Sequence, residues 1–176
     1  MADELTFDVR PPAQSGECLQ VSPLVRRIVA NNPGPITFTG TCSYIVGSGK
    51  VAIIDPGPDN PGHIEALLRA VQAETVTHIF VTHTHRDHSP AARAIQAATG
   101  ALIVGCSPHR SARPLFSGEV NSLEASSDKD YAPDRELADG EAVEGPGPGE
   151  APAEEAETAA GGEAPKRKGW FRRLMT

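Results

Sequence analysis

The feature that most constrains this chain is an apolar run that ends abruptly in a cluster of histidines. Val76-Thr77-His78-Ile79-Phe80-Val81 has the composition of a buried strand. His83-Thr84-His85-Arg86-Asp87-His88 follows at once and places four potential metal ligands in one short loop. Ser89-Pro90 then reads as a helix start, with Ser89 at the N-cap and Pro90 at the first helical position. The ligands therefore sit where a strand ends and a helix begins. Side chains two apart on extended backbone point the same way, so His83 and His85 can grip one ion together. Asp87 and His88 come just after the chain bends and can face a second ion close by. Imidazole nitrogen with one carboxylate suits zinc and similar borderline divalent metals.

The flanking sequence supplies a sheet and helices for this loop. Residues 1–20 are polar and rich in Pro and Gln, an irregular lead-in. Leu24 to Val29 and Ile36 to Thr39 have strand composition. Thr41 to Val46 and Val51 to Ile54 flank Gly47-Ser48-Gly49-Lys50, which predicts a hairpin. That turn joins two strands and lacks the spacing of a phosphate-binding loop. Asp59-Asn60-Pro61 opens a helix on which Ile64, Leu67, Leu68 and Val71 form one apolar stripe. His63, in its first turn, lies off that stripe and is expected to face solvent. Ala91, Ala94, Ile95 and Ala98 repeat the stripe after the histidine loop, and Gly100 supplies the stop. Ala101 to Val104 is another buried strand. Cys106-Ser107-Pro108-His109-Arg110 follows as a loop, and Arg135 to Val143, with Asp139-Gly140 inside it, predicts a final hairpin. The order strand, helix, strand, helix, strand makes a βαβ-type α/β layer.

Thr82-His83-Thr84-His85-Arg86-Asp87-His88 resembles the signature of the metallo-β-lactamase superfamily. The resemblance extends upstream through Thr41 to Gly47 and Val51 to Gly57, and runs from Asn31 to about Gly145. That stretch is similar to the β-lactamase-like protein 2 branch and to the glyoxalase II-like hydrolases. The resemblance implies that His83 and His85 bind a first metal and Asp87 and His88 a second. It makes Asp87 the catalytic carboxylate that orients the attacking water. Asp55 would support the loop from below as a partner of the ligands; read without the family, Asp55-Pro56-Gly57-Pro58 is a strand-ending turn. His109 and Arg110 would lie at the substrate rim, although the residues alone say only that they are in a loop. The family fold is an αβ/βα sandwich with metals in the cleft between its halves. No His occurs after His109, so this chain matches only the N-terminal αβ half. The implied activity is a zinc-dependent hydrolase, with one or two ions, acting on a thioester, an ester or RNA. The rival reading is a catalytically impaired metal-binding half-domain, a fragment or a subunit that needs a partner. The sheet face that the missing half would cover invites self-association.

Composition agrees with that picture. The formal net charge of −7 argues against a stable nucleic-acid complex through the body of the chain. The three cysteines, Cys18, Cys42 and Cys106, are too far apart in sequence for a Cys-x-x-Cys pair and read as reduced thiols in a cytoplasm. Acids near the N-terminus replace the basic residues of a signal peptide, and no apolar run is long enough to span a bilayer. Residues 21–145 are thus expected to form the folded domain. Residues 146–165 are acidic and rich in Pro, Gly, Ala and Glu, the composition of a disordered linker. Residues 166–176 interleave Lys and Arg with Trp170, Phe171, Leu174 and Met175. This last segment reads as a solvated tail, or as a short patch for an anionic surface.

Overall fold

The computed structural model describes residues 14–110, 113, 116–119 and 126–144. The segments 146–165 and 166–176, and the first part of the lead-in, lie outside the described residues. Within them, β1 (Cys18–Ser22), β2 (Val25–Val29), β3 (Cys42–Ser48), β4 (Lys50–Ile54), β5 (Thr75–Val81), β6 (Leu102–Gly105) and β7 (Arg135–Glu136) form one sheet in chain order. β1 to β4 pair antiparallel through short connections. β4 to β7 are parallel, and parallel neighbours need a crossover. α1 (Pro61–Ala70) is the crossover from β4 to β5, and α2 (Ala91–Thr99) that from β5 to β6. Asn60 caps α1 by accepting from the His63 amide at 3.2 Å, with Pro61 in the first turn. α2 ends at Gly100, whose φ of 75° only glycine adopts without cost.

The core lies between one face of the sheet and both helices. Its spine is a row of isoleucines in register across four strands: Ile45 beside Ile53, Ile53 beside Ile79, and Ile79 beside Ile103. Leu67 from α1 and Ile95 from α2 close onto the same buried cluster. Each such side chain contributes roughly 1.5–3 kcal/mol by leaving water. Tyr44, Val46, Ala52, Ile54 and Phe80 alternate with the buried positions and stand half-buried on the opposite face.

Four expectations need correction. Among the described residues regular structure starts at Cys18, inside the segment read as an irregular lead-in, where β1 pairs with β2 at the edge of the sheet. Ile36 to Thr39 is a turn: Pro33 and Pro35 interrupt the extended chain, Gly34 and Phe38 bond across it, and Ile36 is 87% exposed. Ser89 does not cap α2, because its hydroxyl is donated to Asp128. Among the described residues Asp139-Gly140 makes a tight turn with no returning strand, and β7 instead joins β6 in parallel.

Candidate metal centre

The histidine loop starts where two parallel strands end side by side. β4 stops at Ile54, and the Asp55 amide donates to the Phe80 carbonyl at 2.8 Å. Asp55 therefore emerges next to Thr82, the first residue beyond β5. Gly105 holds β6 close on the other side. A side chain there would lie 2.1 Å from the Val81 carbonyl oxygen, so only glycine fits under the loop. The loop then coils on itself, with the amides of His88 and Ser89 both donating to the His85 carbonyl. It is tied back to the turn after β4 by the Gly57 amide, which donates to the His88 carbonyl at 2.9 Å.

Asp55 organises two of the four donors. Its carboxylate accepts from the Thr82 amide at 2.9 Å and the Thr82 hydroxyl at 2.8 Å. His88 Nδ1 lies 3.0 Å from Asp55 Oδ2, so that nitrogen carries the proton and donates it. The Thr82 proton is given to Asp55, so His83 Nδ1, at 2.9 Å from the Thr82 oxygen, must donate as well. When neutral, both rings therefore carry the proton on Nδ1 and present the Nε2 lone pair. A ligating histidine commonly donates its other ring nitrogen in this way, here to Asp55 from His88 and to the Thr82 oxygen from His83.

Asp87 is oriented from the other side. The Thr41 hydroxyl donates to Asp87 Oδ2 at 3.3 Å while accepting from Asn32 Nδ2 at 3.1 Å. Asn32 Oδ1 accepts from the Thr41 amide at 2.9 Å, closing a local ring. His88 Nε2 lies 3.3 Å from Asp87 Oδ2. Two donors on a tetrahedral zinc, each bonded at 2.0–2.1 Å, stand about 3.3 Å apart. The donors of this pair thus match one edge of such a site. The ring centroid of His83 is 4.6 Å from that of His85 and 4.2 Å from that of His88. The donor set fits a divalent ion in kind and in this spacing. Among the described residues, however, no three His, Cys, Asp or Glu side chains converge on one point. Asp87 Oδ2 and His88 Nε2 are the pair of donors that stands at ligand spacing.

Charge follows the same geometry. Burial pushes the Asp55 carboxyl up, but the hydrogen bonds from His88 and Thr82 outweigh it and hold the group below its ordinary value. For His88, burial works downward and is outweighed by the Asp55 hydrogen bond and by the charges of Asp55 and Asp87, so its pKa is raised. His83 is lowered, first by burial and then by the positive charges of His88 and His85. His109 and Arg110 lie in the loop after β6, half-buried and exposed respectively. His63 is buried, 3% exposed, against the expectation of a solvent-facing residue. Its Nε2 lies 2.8 Å from the Ser43 hydroxyl, which itself donates to the Asp55 carbonyl. The turn after β4 folds over the start of α1, so a position off the apolar stripe is covered by a loop. Burial lowers the His63 pKa to about 4, with the Pro56 carbonyl working the other way. Thr41, Asn32 and Thr82 were not distinguished by sequence reasoning as partners of the donors. The only signal was that Thr41 and Thr82 fall within the segments carrying the family resemblance.

The family model described as "Metallo-beta-lactamase superfamily" matches residues 36–164. The chain is 40% identical over 73 residues to the "Beta-lactamase-like protein 2 homolog" of Caenorhabditis elegans, an alignment covering 39% of this chain and 25% of that protein. It is 32% identical over 120 residues to an "Atrochrysone carboxyl ACP thioesterase" of Cryptosporiopsis, covering 65% of this chain and 37% of that protein. Among solved structures it resembles a motif mutant of a metallo-beta-lactamase from Cronobacter sakazakii, with a TM-score of 0.50 and 20% identity. That match covers 71% of this chain and 48% of the other. At that identity the likeness shows the fold alone. The chain spans about a quarter to a third of the length of the curated relatives it matches.

Proposed function

The chain belongs to the metallo-β-lactamase superfamily, and from that premise we propose that it is the metal-binding αβ half of a zinc-dependent hydrolase acting on a thioester. The observation that carries this reading is the Asp55 network, which frees Nε2 on His83 and His88 beside His85 and Asp87. A structural polar loop has no need for two rings fixed in one tautomer with their far nitrogens left open. Zinc held by His83, His85, Asp87 and His88 would supply a water ionised near neutral pH and would polarise the substrate carbonyl. The chain's own residues hold and orient. His83 and His85 present one pair of donors, and Asp87 and His88 the other. The Thr41 hydroxyl on Asp87 Oδ2 holds that carboxylate in place, and Asp87 would orient the attacking water. His109 and Arg110, on the next βα-side loop, offer polar contacts for the substrate beyond the scissile bond. Relatives named as thioesterases favour a thioester over a phosphodiester.

A second reading has its own support. The donors come in pairs, and the chain matches less than half of its relatives. On that reading the chain binds metal without efficient turnover. One experiment separates them: zinc content and affinity of the purified chain, with initial rates on an acyl thioester and on an RNA oligonucleotide at saturating zinc. Thioester hydrolysis lost in a His83→Ala/His85→Ala variant supports the first reading. Zinc binding with no turnover supports the second. Equal zinc affinity in parent and double variant sinks both.

A further inference from the structure

We propose that Asp128 is a positioning residue for the histidine loop, holding its two ends at the separation the donors need; this rests on the metal-binding reading above. Residues 126–128 follow the long connection after β6 and meet the loop in a single antiparallel bridge. The Arg86 amide donates to the Ser126 carbonyl at 2.8 Å, and the Asp128 amide donates to the Thr84 carbonyl at 2.6 Å. Between them His85 and Ser127 pair in antiparallel fashion. The side chain of Asp128 then reaches the other end of the loop. It is 5% exposed, and its Oδ2 accepts from the Ser89 hydroxyl at 2.8 Å. Arg93, in the first turn of α2, stands 3.4 Å from both carboxylate oxygens. Oδ1 also accepts from the Asp130 amide at 3.1 Å, which fixes the carboxylate plane.

One residue thus holds the loop at Thr84 through its backbone and at Ser89 through its side chain. His85, Asp87 and His88 all lie between those anchors. The loop makes few bonds of its own, so its shape depends on what grips it from outside. Asp128 touches none of the four donors, and its effect on them passes through the backbone. The arrangement also explains why Ser89 is not a helix cap. Its hydroxyl is taken by the clamp.

The test uses the full chain and zinc itself. Zinc affinity is measured by competition with a chromophoric chelator for the parent, Asp128→Ala, Asp128→Asn and Asp134→Ala. Asp134 makes comparable bonds, to the Ile103 amide and Gln96, away from the loop, and so controls for a general loss of stability. Amide exchange at residues 85–89 is followed in the metal-free proteins. The alanine variant is expected to bind zinc about tenfold more weakly and to exchange faster at His88 and Ser89. Asp128→Asn keeps the shape and one acceptor for Ser89, and should fall between; it carries the test if the alanine variant does not fold. Asp134→Ala should lose stability and keep its zinc affinity. Parent-like affinity in both Asp128 variants overturns the proposal, as does an equal loss in Asp134→Ala. A parent that takes up no zinc overturns the metal reading beneath it, a distinct result from variants that match a zinc-binding parent.

Discussion

At the scale of single residues, Asp55 does more than its neighbours. It sits in the left-handed region at φ 47°, a conformation that costs a side-chain-bearing residue about 1–3 kcal/mol. That cost is offset by four partners on one carboxylate and peptide group: the Thr82 amide and hydroxyl, His88, and Ser43 on the carbonyl. Asn tolerates the same backbone, so Asp55→Asn isolates the carboxylate. It should weaken zinc binding about 10- to 100-fold in a chelator competition, while a change under threefold would mean the rings are oriented by something else. His63 tests the same region through pH. Its pKa is about 4 when folded, against an ordinary 6.5, because burial disfavours the charged ring. The unfolded chain binds the extra proton between those values, so stability is full above about pH 6.5 and falls as pH drops toward 4. The loss amounts to at most about 3 kcal/mol. Urea unfolding of the parent and His63→Asn across that range measures it. The asparagine variant lacks this slope, and parallel curves would refute the assignment.

At the scale of elements, strands and helices were legible where the pattern was local and periodic. The hairpin around Gly47 to Lys50, both helices and the strands β5 and β6 follow from apolar spacing and from the Asn60, Pro61 and Gly100 signals. Failures came where a distant partner decides. Ile36 to Thr39 looks like a strand but is closed into a turn by the Gly34–Phe38 bridge, and Pro33 and Pro35 before it break the extended chain. Ser89 looks like a cap, and loses that role to Asp128, which lies 39 residues away in sequence. His63 looks exposed until the Pro56-Gly57 turn covers it. The four loop residues could be picked out because they are adjacent in sequence. Thr41, Asn32 and Asp128 could not, because only the folded sheet brings them to the loop. The isoleucine row offers an element-scale test of the scaffold itself. Ile79 lies in the middle of the row, fully buried, with Ile53 and Ile103 on either side. Ile79→Ala should cost about 2–5 kcal/mol, measured by denaturant unfolding. A smaller loss would show that the sheet and helices can collapse onto the vacated space.

At the scale of the whole molecule, both helices cover one face of the sheet, and the other stands half-buried along β3 to β5 with Leu102 52% exposed beside it. Among the described residues no helix is long and apolar enough to cross a membrane. The chain covers 48% of a solved structure of the same fold. Orientation and electrostatic stabilisation are each worth several kcal/mol in a barrier, and about 1.4 kcal/mol is a factor of ten in rate. Donors that come in pairs orient a water less well than a closed shell. The chain alone is therefore expected to hydrolyse a shared thioester at least a hundredfold more slowly than a full-length relative at saturating zinc. The half-buried face should meanwhile make it self-associate as concentration rises, and Leu102→Glu should suppress that association without altering zinc affinity. Initial rates and sedimentation velocity on the same samples measure both. A monomer that matches the full-length rate would show that the remaining ligands come from within this chain, and that the half-buried face is complete as it stands.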